Sequence, residues 1–140
     1  MSAFAKFHSF VEALAEGVHN LSGDALKMAL TNTAPTAATD TGFLPGTLHP
    51  PPAAANGYAP AAVNVTSSEQ VAGTYTLAAD DVVFTAVGGD IGPARYAILY
   101  NDTAPNDEVI GYWDRGASVT VNDGETITVD LTTDVVLTLA

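Results

Sequence analysis

The chain has 140 residues, 47% hydrophobic but only 14% charged, and sixteen acids face four cations (Lys6, Lys27, Arg95 and Arg115) for a net charge of −12. With no basic stripe to displace counterions from phosphates, direct nucleic-acid binding is disfavoured, as is attraction to an anionic membrane surface. There is no cysteine, so no disulfide, thiolate nucleophile or zinc–thiolate site can form, and the length suits a single domain.

The opening segment, Met1 to His8, has neither the basic start nor the unbroken apolar core of a signal peptide. No run approaches the length of a membrane span. The expectation is a protein made in the cytoplasm that stays there or leaves inside an assembly. Phe4, Phe7, Phe10, Val11, Leu14 and Val18 recur at three- and four-residue steps, which predicts an amphipathic helix over residues 3–16 with three rings on its buried face. Ser22-Gly23-Asp24 turns the chain into a strand over residues 25–30, with Leu26, Met28 and Leu30 inward and Lys27 outward.

Residues 31–60 are the least regular part, with Pro35, Pro45, Pro50, Pro51, Pro52 and Pro60 among Thr, Ala and Gly. The run from His49 to Pro52 reads as polyproline-like, because each ring fixes φ and removes a donor. So long a stretch is an ordered arm lying on a neighbouring subunit, a loop, or a stiff spacer. Phe43, Leu44, Leu48 and Tyr58 are apolar anchors that favour the arm.

Further on, β-branched and aromatic runs predict strands near residues 63–66, 73–77, 81–85, 95–100, 108–113, 118–121, 126–131 and 135–139. Turn residues separate them, and Asn122-Asp123-Gly124-Glu125 carries the chemistry of a tight hairpin. The expectation for residues 1–140 is one mainly β domain, an antiparallel β-sandwich of about eight to nine strands with an N-terminal helix and a long Pro-rich loop.

Chemistry-bearing residues are sparse. His8, Glu12, Glu16 and His19 could crowd one side of a helix as a divalent-metal cluster, or form the solvated face opposite the rings. Asp80, Asp81, Asp90, Asp102, Asp107, Glu108, Asp123 and Glu125 sit where strands should end. There they either hold calcium or serve as turn residues, the better account. No G-x-S-x-G or phosphate loop is present, so neither a catalytic residue nor a cofactor is expected and enzyme is the weaker class. Tyr100, Tyr112 and Trp113 could in principle form a sugar platform, though strand aromatics are more often core. Arg95, at a predicted strand entry, and Arg115, at a predicted strand exit, staple strand ends internally or face a partner beside Trp113. The candidate interface is thus Phe43, Leu44, Leu48, Tyr58, Arg95, Trp113 and Arg115.

Several of these segments together resemble a group of small tailed-phage virion structural proteins. They are Lys6-Phe7-His8, Phe10-Val11-Glu12, His19-Asn20-Leu21, the run from Asp24 to Asn32, Asn56-Gly57-Tyr58 and the run from Asp80 to Ala86. The stretch from Ile91 to Asp102, Gly111-Tyr112-Trp113-Asp114 and Gly124-Glu125-Thr126 add to it. In size the chain is similar to the jelly-roll capsid cement proteins of short-tailed phages. The resemblance implies a jelly-roll-like sandwich that decorates or cements the capsid exterior, with the major capsid protein and copies of itself, as a homodimer or homotrimer, for partners. It brings no catalytic residue, and it matches the Pro-rich region least. A tail or head-fibre protein binding host glycans is the alternative.

Overall fold

The computed structural model describes residues 4–131 and 136–139. Among them are eleven strands, all pairing antiparallel, and one short helix. The strands are β1 (Ala5–Lys6), β2 (Leu26–Thr31), β3 (Ala54–Ala55), β4 (Ala61–Ala62), β5 (Val65–Val71) and β6 (Thr74–Ala79), then β7 (Val82–Thr85), β8 (Ile91–Asn101), β9 (Val109–Val121), β10 (Thr126–Val129) and β11 (Leu137–Leu139). The protein is mainly β, as its β-branched runs require.

The largest sheet runs β1-β9-β8-β2-β4, with β3 also on β8; β11-β6-β5 and β10-β7 form two smaller sheets. One core draws on all three: Leu26, Met28 and Leu30 from β2, Ile98 and Leu99 from β8, and Leu77, Phe84 and Val129 from the smaller sheets. β2 lies between β8 and β4 and is buried almost throughout, so a strand expected to have one buried face has two. Lys27, half-buried, finds Asp102 at 3.4 Å.

Three expectations need correction. The helix, α1 (His8–Ala15), starts five residues later than the aromatic spacing predicts, and Ala3 lies outside the described residues. Ala5 and Lys6 pair instead with Tyr112 and Gly111, and the Phe7 N–H continues that ladder to the Ile110 carbonyl. The rings still pack inward, Phe4 edge-on to Trp113, Phe7 against Tyr112 and Phe10 against His19. Second, the strands expected at 108–113 and 118–121 are one strand, β9, which starts at Val109. Its register against β8 jumps from Tyr96↔Asp114 to Ala94↔Val119, so Arg115 to Ser118 swell out of the ladder. Gly116, at φ 93°, permits the bulge. Third, Asn122–Glu125 closes no hairpin. The Gly124 N–H donates to Ala86, and the Asp123 N–H donates to Asp90. These bonds hand the chain from β9 in the large sheet to β10, which pairs with β7.

Candidate interaction surface

The Pro-rich segment is ordered against its own chain. The His8 N–H donates to Ala37, and the Ser9 hydroxyl donates to the Asp40 carbonyl, tying the segment to α1. The Phe43 N–H donates to Asp107 and the Val109 N–H to Thr41, lacing it to the start of β9. Phe43 is buried, stacked on Tyr100 at 4.3 Å between centroids and on His49 at 5.6 Å.

His49 is fully buried, and its two ring nitrogens have different partners. Nδ1 accepts the Leu44 N–H at 3.1 Å, so the ring carries its proton on Nε2, which donates to Asp40 Oδ2 at 2.9 Å. The same carboxylate oxygen accepts the Thr36 N–H at 2.9 Å. Asp40–His49 has the look of an acid–imidazole dyad, but the nitrogen a nucleophile would need is taken by backbone, so the pair braces rather than reacts. What it braces is a tight turn in which the Leu44 carbonyl accepts N–H groups from Thr47, Leu48 and His49. Leu44 and Leu48 project from it, 47% and 42% exposed.

The other candidate residues divide. Tyr58 is half-buried, its hydroxyl bonded to both the N–H and the carbonyl of Leu30, and burial raises its pKa above the usual phenol value. Trp113 is buried beneath Phe4. Arg95 lies within β8 and grips Asp114 with two nitrogens, at 2.8 and 3.1 Å, its guanidinium 5.3 Å from the Tyr96 ring. That bond lifts the arginine pKa and holds the Asp114 carboxyl below its usual range. Arg115 is exposed on the β9 bulge and lines a shallow cleft with Arg95, Tyr96 and Ile127. The fold therefore uses Phe43, Tyr58 and Trp113 internally and leaves Leu44, Leu48 and Arg115 facing outward.

The four residues of the possible metal cluster do not share a face. His8, Glu12 and Glu16 are exposed, whereas His19 is buried with Nδ1 accepting from Asn101 Nδ2 at 3.0 Å. Asn101 Nδ2 also donates to Asp24, and its Oδ1 accepts the N–H groups of Thr103 and Ala104. Burial lowers the His19 pKa, against the pull of Glu108 and Asp24. Three of the acidic residues tie distant segments together: Asp123 accepts the Gly88 N–H, Asp80 accepts from Asn64, and Asp81 accepts the Leu131 N–H. Among the described residues no group of three or more His, Asp or Glu is placed to hold a metal. Asp40 and Asn101, the two polar hubs, escape sequence reasoning because His49, His19 and Asp24, the side chains that meet them, stand at separations that no periodicity encodes.

No family model, curated protein or solved structure matches this chain.

Proposed function

We propose that the protein is a structural component of a phage virion, bound to the outside of the capsid, where it cements or decorates the shell by non-covalent contacts with the major capsid protein. The sandwich is then jelly-roll-like, and the protein assembles in the host cytoplasm without catalysis or cofactor. The observation that carries the reading is the Leu44–Leu48 turn. Two exposed apolar side chains stand on a turn fixed from below by His49, Asp40 and Phe43. A turn already ordered loses little conformational entropy on docking, and a lattice of such weak contacts gains strength by repetition. The resemblance to small virion proteins supports the same role. The glycan-binding alternative has less support, since Tyr100 and Trp113 are buried.

The test is co-sedimentation of the purified protein with empty capsids of the phage that encodes it. Saturation at a fixed multiple of the major capsid protein is expected, and Leu44→Asp with Leu48→Asp should lower affinity at least tenfold. No binding, or binding indifferent to both changes, would overturn the proposal.

A further inference from the structure

Strand edges are where a β protein invites other chains, and most of the edges here are short. β1, β3 and β4 have two residues each, and β7 and β10 have four. β5 differs: its seven residues, Val-Thr-Ser-Ser-Glu-Gln-Val, form the outer strand of the β11-β6-β5 sheet among the described residues. It contains no Pro and no Lys, two of the usual devices against edge pairing, and only one charge, Glu69.

The hairpin beside it settles which backbone groups are free. Ala72 and Gly73 both have positive φ (52° and 85°), the signature of a two-residue type I′ turn. In such a turn the closing pair, Val71↔Thr74, exchanges hydrogen bonds. Because bonded and non-bonded pairs alternate along an antiparallel ladder, Glu69↔Thr76 and Ser67↔Ala78 are bonded too. Ser68 and Gln70 therefore turn their N–H and C=O away from β6, toward the open edge.

We infer that this edge pairs with the β5 of a second copy, antiparallel about a two-fold axis through Ser68. In that register Ser68 meets Ser68 as a hydrogen-bonded pair, and Gln70 reaches toward the bulge residue Thr66. Glu69 falls opposite Ser67 of the other copy and not opposite another Glu69, so the strand's one charge meets a hydroxyl. The strand is self-complementary about one residue, which is what a two-fold interface demands. The partner is a copy of this chain because a two-fold axis at Ser68 brings the outward-facing backbone of the two strands into register and sets the one charge, Glu69, against Ser67 and not against itself. The inference is independent of the capsid proposal, which survives if the dimer does not.

The experiment is light scattering after size exclusion on the full chain, with substitutions in β5. Wild type is expected to be a dimer. Ser68→Pro should be monomeric, and at low concentration its thermal unfolding should match that of Ser68→Ala, because both lose the hydroxyl bonded to Tyr75 at 2.7 Å while the N–H that only the proline removes points away from β6. Ser67→Glu, which sets carboxylates opposite each other, should weaken the dimer at least tenfold. Because the chain has no cysteine, Ser68→Cys reads the register. Bonded cross-strand Cα atoms lie about 5.5 Å apart, within disulfide reach, so this variant should cross-link under mild oxidation. Val71→Cys, about 20 Å from its own copy at 3.3 Å per residue, should not. A monomer, a trimer, a dimer indifferent to Ser68→Pro and Ser67→Glu, or equal cross-linking of the two cysteine variants would overturn the inference.

Discussion

Replacing His49 by Phe tests whether the Pro-rich segment is a built element. The substitution keeps an aromatic ring to stack on Phe43 and removes both ring nitrogens. It strands the Leu44 N–H and takes one of two hydrogen-bond donors from Asp40 Oδ2, in a residue only 5% exposed. An unsatisfied buried amide costs about 1–3 kcal/mol, and a lost bond to a charged group about 1.5–3 kcal/mol. The expected loss is about 3–5 kcal/mol, a large share of a typical domain's stability, or a fall in Tm of roughly 10–15 °C at this length. Urea denaturation followed by tryptophan emission measures it. A cycle with Asp40→Asn should show coupling of about 1–3 kcal/mol, since the two side chains share one bond. Limited proteolysis of His49→Phe should cut first between Leu44 and Leu48. A loss under about 1 kcal/mol, or strict additivity with Asp40→Asn, would refute the bracing role.

Gly111→Ala would set a methyl group against the Phe4 ring and 2.9 Å from the Ala5 carbonyl oxygen. It should expel β1, cost about 1–3 kcal/mol and red-shift the emission of Trp113, the single tryptophan. An unmoved spectrum would mean that β1 does not cover the indole. In acid, the unfolded chain protonates His19 near its ordinary 6.5 while the buried ring resists, so stability should decline as pH falls below about 6.5 and level off below the depressed folded pKa. Denaturant midpoints from pH 8 to 5 should show that slope in wild type and a shallower one in His19→Gln. Equal slopes would count against it. In alkali, burial, reinforced by Asp102, Asp107 and Tyr58, pushes the Tyr100 phenol from 10 to about 12. The unfolded chain then ionises first, and up to about 2.7 kcal/mol should be lost as pH rises through that interval. Tyr100→Phe, titrated by tyrosinate absorbance, should lack the latest step; an unchanged titration would show that Tyr100 ionises earlier.

The strands that could be read in the sequence are β6, β7, the centre of β8, both ends of β9, β10 and β11, where β-branched or aromatic residues run together, and β2, where Leu26, Met28 and Leu30 alternate after a turn. β5 was legible only at its start, because Ser67 to Gln70 lack β-branched or aromatic side chains and take strand form from the Ala72-Gly73 turn and from β6. The N-terminal rings misled because a three-residue step fits a helix face equally well. Aromatic partners on β9, remote in sequence, decided the matter. Arg115-Gly116 looked like a strand end because glycine punctuates, yet a bulge in a continuing strand uses the same positive φ. In the candidate surface, the exposed leucines were legible as apolar residues in a polar stretch. Their support was not, because Asp40 and His49 meet only once the turn between them has folded.

Charge separates the two proposals. Of the four cations, Lys27 and Arg95 are paired with Asp102 and Asp114 within the chain, so a net charge of −12 faces outward little relieved. Two copies meeting along β5 must overcome that repulsion, and screening removes it. The dimer should therefore tighten as salt is raised. Docking on a capsid surface that carries compensating positive charge would weaken under the same change, while a purely apolar footprint for Leu44 and Leu48 would not. A salt series on self-association and capsid binding thus reports whether the acidity repels copies held by backbone hydrogen bonds or attracts a basic partner. Opposite slopes from one protein would require two different surfaces, as the separate structures of the β5 edge and the Leu44–Leu48 turn imply.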